Sequence, residues 1–518
     1  MTPSLRLLTW SLLAAIVPFV SAQGTLTAEL DYGTFAGAYS ANLDIAYWRK
    51  IPFAAPPTGR NRFRAPQPPL PITGAPYNTD QPFESCPQRG ENGSEDCLYL
   101  GIFGRPWTTG RPLRPVVVAF YGGGLIQGGG SFLMPPAGYP VLNVSTENDL
   151  VFVYPNYRVN AFGFLPGREI ADDPESDLNV GLLDQQAVLQ WVQKYIAHFG
   201  GDAGNVGIWG QSAGAGSVVA QVIANGGDTQ PRLFNKALAS SPFWPKTYRY
   251  DAPEAQDVYD TFARLANCAG PDSLHCLKTA DVQTLRTAAL GVSKSHTYKT
   301  SSFTWAPVIG DTFLPQSLSQ AIVKGQVNAD FVFNMYNQHE GENFNYPRTV
   351  HDWLHGFLPG LSEPNYQKVL ELYPAKGTAE DLQYDMTHVR TGLIYRDTVL
   401  ACPALWSARA ALKRSHLGQY IIAPARHGSD TQWWNQVNLV QKTNPFLYQG
   451  YTGAFASFFQ TGDPNAHKLT PMSVAGVPDL KTMNQEFVIY ADGFATVDVG
   501  ELRSRCDFWL GVAGEIPL

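Results

Sequence analysis

The segment Gly210-Gln211-Ser212-Ala213-Gly214 sets a serine hydroxyl between glycines, a pattern suited to nucleophilic attack on a carbonyl carbon. A hydroxyl at its ordinary pKa is a poor nucleophile, and attack creates an oxyanion, so such a serine needs a base and a set of amide donors. The run Tyr121-Gly122-Gly123-Gly124 offers the donors, because successive glycines let backbone N–H groups converge on one oxygen. The oxyanion contacts are assigned to the amides of Gly123, Gly124 and Ala213, each donor of this kind being worth about 3 kcal/mol. A phosphate-cradling loop is the rival reading of the run, but the Gly-Lys-Ser/Thr ending and any nearby lysine are missing.

A chain order of serine, acid, histidine leaves His351, His355, His388, His416, His427 and His467 as candidate bases. Of these, His427 follows the apolar Tyr420-Ile-Ile-Ala and precedes Gly428-Ser429, which puts it in a loop at a strand's carboxyl end. The run Phe331-Val-Phe-Asn-Met-Tyr336 leads in the same way to Glu340, preferred as the acid over Glu342. Spacing alone leaves these choices open.

Positioning such residues requires strands that deliver them to one edge. Pro115–Phe120 is an almost unbroken apolar run ending in glycines, as expected of a strand covered on both faces, and Leu150–Tyr154 repeats it. Leu178–Phe199 has helical apolar spacing and stops at Gly200-Gly201. Asn205–Trp209 predicts a strand, Gly210–Gly214 a tight turn and Ser217–Ala224 the start of a helix. Further strands are predicted at Lys236–Ala239, Asp330–Tyr336, Gln419–Ala423 and Glu486–Tyr490, whereas the prolines between Ile51 and Leu70 predict an irregular arm. Alternating strand and helix implies an α/β protein with a mostly parallel sheet, and ligands bind such sheets beyond the strands' carboxyl ends.

The 518 residues are 44% hydrophobic and 16% charged, a composition that builds a large core. A net charge of −7 with scattered Lys and Arg excludes nucleic acid as the main partner and points to a small, neutral ligand. Arg6, the apolar Leu7–Val20 and the small Ser21 and Ala22 predict a signal peptide over residues 1–22, with 23–518 as one domain and no stable membrane insertion. Export permits the six cysteines to form three disulfides and makes Asn92 and Asn143 candidate glycosylation sites. No cofactor and no metal site are expected, since the histidines lack ligand spacing and the cysteines are paired.

These residues together resemble the type-B carboxylesterases, the family that includes cholinesterases and fungal lipases. The resemblance spans nearly the whole mature chain: Ile51-Pro-Phe-Ala-Ala-Pro-Pro57, Ser94-Glu-Asp-Cys-Leu-Tyr-Leu100, Asn156-Tyr-Arg-Val159, Asn179–Gln193, Phe199-Gly-Gly-Asp202 and His427-Gly-Ser-Asp430 join the serine and glycine motifs. It implies an α/β-hydrolase fold, the central mostly parallel sheet flanked by helices on both faces. It also implies a Ser212-Glu340-His427 triad, and disulfides Cys86–Cys97, Cys268–Cys276 and Cys402–Cys506. The activity so implied is hydrolysis of a small-molecule ester through an acyl-enzyme.

Two departures bear on the substrate. Only ten residues, Pro87 to Asp96, lie between Cys86 and Cys97, and none is aromatic, so the tryptophan that holds choline in cholinesterases has no counterpart there. The loop is also too short for the flap of fungal lipases, which predicts weak interfacial activation. Gln211 replaces the glutamate that precedes the serine in cholinesterases. Both favour neutral esters, with Phe243, Trp244, Trp433 and Trp434 expected to line an acyl or alcohol pocket. The alternatives are acyl transfer or lactone formation in a biosynthetic pathway, and a catalytically silent adhesion-type relative.

Overall fold

The computed structural model describes residues 26–146, 149–295, 304–344, 349–375, 378–379, 382–383 and 387–518, so the expected signal peptide lies outside the described residues. Among them, eleven strands form one sheet: β1 (Ala38–Ser40), β2 (Ile45–Pro52), β3 (Tyr99–Gly104), β4 (Arg114–Phe120), β5 (Val151–Pro155), β6 (Gly201–Gln211), β7 (Lys236–Ser240), β8 (Phe331–Asn337), β9 (Arg414–Tyr420), β10 (Gln485–Tyr490) and β11 (Gly493–Asp498). Their order is β11-β10-β9-β8-β7-β6-β4-β5-β3-β2-β1. From β10 to β5 neighbours run parallel, while the pairs at the two flanks are antiparallel.

The apolar run in β4 follows from burial on both faces. Val116, Val118 and Phe120 join one core while Val117 and Ala119 join the other, the alternation a pleated strand imposes. Register then brings the carboxyl ends of five strands to one edge. Phe120 pairs with Gly210 and Gly210 with Ala239; Ser240 pairs with Met335, and Asn337 with Tyr420.

The predicted helix at Leu178 is observed as α1 (Val180–Tyr195), which continues as a 3-10 turn to Phe199 and ends where Gly200 takes φ 78°. A second helix, α2 (Ala213–Ile223), begins directly after Ser212 and is buried throughout. The proline-rich arm is irregular beyond β2, apart from the short turn Gly59–Asn61. One strand departs from expectation: β9 spans Arg414–Tyr420 rather than Gln419–Ala423. Its sequence Arg-Ser-His-Leu-Gly-Gln-Tyr is too polar to read as a core strand, yet its side chains are accommodated inside. His416 Nδ1 donates to the Pro478 carbonyl at 2.8 Å, and Gly418 leaves room for Met335.

Disulfides join Cys86 to Cys97, Cys268 to Cys276 and Cys402 to Cys506. The last closes a separation of 104 residues and ties helix Cys402–Ala410 to the carboxyl-terminal helix Gly500–Gly511, a closure worth about 4 to 5 kcal/mol in chain entropy. Ion pairs at 2.7 Å tie the irregular arm to the disulfide loop, Arg62–Glu95, and α1 to the segment that follows β5, Arg158–Asp184. Asn92 and Asn143 are both exposed, so either side chain is accessible to modification.

Candidate active site

Ser212 occupies the turn between β6 and α2 with φ 58° and ψ −124°, a conformation that costs a non-glycine residue about 1–3 kcal/mol. The surroundings hold it there. Its N–H donates to the Ser240 carbonyl at 3.0 Å, and its own carbonyl accepts from Phe243 N–H at 3.0 Å. The flanking glycines are needed for close approach: a Cβ at Gly210 would lie 2.2 Å from the Gly214 carbonyl carbon, and one at Gly214 2.1 Å from the Phe120 oxygen. The amino end of α2 thus points at the serine, an orientation that favours developing negative charge.

The structure brings Ser212, His427 and Glu340 together. Ser212 Oγ donates to His427 Nε2 at 2.7 Å, and His427 Nδ1 donates to Glu340 Oε2 at 2.9 Å. A carboxylate only accepts, so the proton of the neutral imidazole sits on Nδ1 and Nε2 is left to receive the serine's. Glu340 is fully buried, and its other oxygen accepts from the Asn337 N–H at 3.1 Å. Asn337 also donates through its side chain to the Arg426 carbonyl at 2.9 Å and to Asp430 at 3.1 Å, linking the end of β8 to the loop that carries His427. Glu342 is engaged elsewhere, 2.7 Å from His339.

The other candidate histidines are not in this constellation. His416 lies inside β9, His351 and His355 on helix Val350–Phe357 pack against Tyr366, His388 is exposed on helix Thr387–Arg396, and the His467 N–H donates to Ser457.

The glycine run lies against the serine: a Cβ at Gly122 would be 3.1 Å from that of Ser212. Gly123 and Gly124 adopt φ 108° and 65°, conformations that glycine takes without strain. Among the described residues the amides of Gly123, Gly124 and Ala213 donate to no protein acceptor, so all three remain available to an oxyanion. The short disulfide loop is fastened to the segment that follows this run. The Gln88 side chain exchanges two hydrogen bonds with Gly128, and the Arg89 N–H donates to the Ile126 carbonyl at 3.2 Å.

Phe344 and Asn343 escaped the sequence reading, whereas Gln211 and Asp430 lie within its motifs. Phe344 packs edge-on against the His427 ring at a centroid distance of 5.0 Å, and Asn343 accepts from the His427 N–H at 3.2 Å. Gln211 places Nε2 at 3.5 Å from His427 Nε2. Asp430 is buried beside Glu340; burial and the neighbouring carboxylate push its pKa up, while hydrogen bonds from Asn337, Trp434 and Tyr451 oppose the shift. The tryptophans expected to line a pocket belong instead to the core. Trp434 rests on Trp209 at 4.8 Å and donates to Asp430, Trp433 donates to Tyr420, and Phe243 and Trp244 are buried in the opposite core. Each satisfies a buried polar atom or fills volume behind the site, which is why an aromatic pair next to a motif is a poor guide to a pocket. Among the described residues no group of three or more His, Cys, Asp or Glu is arranged to hold a metal ion, and no helix is long and apolar enough to cross a membrane.

Residues 24–509 match the carboxylesterase family, and the chain belongs to that family. It is 32% identical over 349 residues to secreted triacylglycerol lipase LIP1 of Gibberella zeae, a match covering 62% of this chain and 58% of that protein. Against secreted lipase 1 of Botryotinia fuckeliana it is 32% identical over 335 residues and spans 57% of that protein, so in both cases less than two thirds of the relative's length is matched. A secreted lipase of Arthroderma benhamiae is 28% identical over 519 residues, with 94% of this chain and 95% of that protein covered. Among solved structures, the crystal structure of Aspergillus niger EstA superposes with a TM-score of 0.82 at 25% identity, over 95% of this chain and 99% of that one.

Proposed function

We propose that this protein is a secreted carboxylic ester hydrolase of one catalytic domain, and that Ser212, His427 and Glu340 act as nucleophile, base and orienting acid. The observation that carries the reading is the unbroken relay from Ser212 Oγ through His427 to Glu340, at 2.7 and 2.9 Å. As Ser212 Oγ bonds to the ester carbonyl carbon, its proton passes to His427 Nε2, and Glu340 stabilises the imidazolium. The carbonyl oxygen, now negative, takes the amides of Gly123, Gly124 and Ala213. Collapse expels the alcohol, which leaves with the proton from His427. Water then repeats the sequence on the acyl-enzyme and releases the acid.

Neutral esters are the proposed substrates. Gln211, an uncharged amide, stands beside the base, and the ten-residue disulfide loop brings no aromatic ring to a cationic alcohol. The same loop is fastened to Gly128, just beyond the glycine run, which supports turnover of dissolved esters without an interface. Export is supported by the amino-terminal signal pattern, by three disulfides and by relatives named as secreted lipases. Replacing Ser212 with Ala and following release from a p-nitrophenyl ester tests the reading: turnover is expected to vanish, and turnover equal to the parent's would refute it.

A further inference from the structure

At the amino ends of the parallel strands, the sheet edge away from Ser212, a half-open cleft of about 480 Å³ lies between Trp48, Trp107 and Phe199. Its volume falls within the range of about 300–1,000 Å³ common to small-molecule sites. Arg114, which also lines it, opens β4 and pairs with Gly201, the first residue of β6, whereas Ser212 follows the far end of that strand. Phe120, six residues along β4 from Arg114, pairs with Gly210 just before Ser212, so at about 3.3 Å per residue the two places are more than about 20 Å apart.

The walls of the cleft carry Arg105, Arg114 and His198 and no acidic side chain, with Asp44 just outside it at 4.0 Å from Arg105, so Arg114 is the principal cation. Each hydrogen bond that Arg114 makes among the described residues goes to a neutral carbonyl: Gly200 at 3.3 Å, Arg105 at 2.7 Å and Phe199 at 3.4 Å. Those use three of the five N–H groups of a guanidinium and leave two. Burial lowers the Arg114 pKa to about 10, and the charge of Asp149 opposes that shift. A partly desolvated cation held only by carbonyls gains from an anion placed against it, and an arginine fork suits a carboxylate.

We propose that this cleft is a binding site for an amphiphilic carboxylate, its apolar body between Trp48, Trp107 and Phe199 and its charged end toward Arg105 and Arg114. Carboxylic acids are also the product class of the hydrolysis proposed above, so on that reading the cleft would sense product. Binding there does not require that reading to hold.

Titration calorimetry with 2-naphthoate, and with the uncharged 2-naphthylmethanol as control, tests the site on the full chain. One naphthoate per chain is expected, with the alcohol binding at least 10-fold more weakly. Removing Arg114 would also release the carbonyls it holds, so the variants are T109E, which adds a negative charge at the exposed rim, and T27W, which fills the cleft from an exposed position. Each is expected to weaken naphthoate binding at least 10-fold while ester turnover stays within two-fold of the parent, and S212A is expected to bind naphthoate as the parent does. No saturable binding, equal affinity for the alcohol, affinity unchanged in both cleft variants, or binding lost in S212A would overturn the proposal. An S212A chain that retains turnover bears on the ester reading alone, because calorimetry reports the cleft independently of catalysis.

Discussion

Glu340 and Asp397 are both fully buried carboxylates, and they sit in neighbouring segments with opposite company. Glu340 faces a single imidazole and one backbone amide. Asp397 faces two permanent cations: Arg396 donates to it at 2.9 and 2.7 Å, Arg505 at 2.6 Å, and Tyr373 adds a hydroxyl at 2.8 Å. Burial pushes the Asp397 pKa up, but the two guanidinium groups hold it below the usual carboxylate range. The segments touch, for Arg396 donates to the Gln338 carbonyl at 3.4 Å and a Cβ at Gly341 would stand 2.7 Å from the Arg396 nitrogen. Asp397 is matched to a charge that is always present; on the proposed reading, Glu340 is matched to one that arises only when Ser212 gives up its proton. Asp397 thus serves structure, and on the proposed reading Glu340 serves the chemistry.

The comparison breaks most visibly at Glu340. E340Q is expected to lower kcat by about 10⁴, the loss typical when the acid of a serine triad becomes an amide, while the melting temperature stays within a few degrees. Steady-state kinetics and calorimetry on one preparation check both halves, and a large loss of stability with normal turnover would reverse the assigned roles. D397N is expected to do the opposite, costing about 3–5 kcal/mol of stability because two buried arginines lose their counter-charge, with turnover of the folded fraction changed only a few-fold. Urea unfolding followed by tryptophan fluorescence measures it.

The pH dependence sharpens the same contrast. Because the folded-state pKa of Asp397 is depressed, its contribution to stability is present above the unfolded value near 3.9 and is lost as pH falls through the folded one. Unfolding titrations below about pH 4 should therefore show a shallower acid decline in D397N than in the parent. The smallest effect is expected from Q211E. An anion beside His427 favours the imidazolium and should move the acid limb of kcat/KM upward by about 1 pH unit, measured on a neutral ester. An unmoved limb would remove Gln211 from the surroundings of the base.

Much of the fold was legible where burial on two faces leaves an unbroken apolar run, as in β4, β5 and β8. It was not legible in β9, where polar residues such as His416 meet partners that only the tertiary structure supplies, nor in the antiparallel β2 and β3, which pair with each other across a long sequence separation. The candidate site followed the same division. Ser212 and the glycine run announce themselves because close backbone approach demands glycine; for Glu340 and His427 position after an apolar run narrowed the choice, and the family resemblance singled them out. Asn337, Asn343 and Phe344 carry no local signal, since each acts through contact with a loop far away in sequence. The misread tryptophans at 433 and 434 reflect a helix that turns its aromatic face into the core.

Reaction of the protein with one equivalent of a p-nitrophenyl phosphonate, followed by peptide mass analysis, tests the central claim most directly. A single adduct on Ser212, formed with loss of esterase activity and at least 10³-fold more slowly in a variant carrying His427→Ala, is the predicted result. An adduct on another residue, or full activity after Ser212 is labelled, would contradict it.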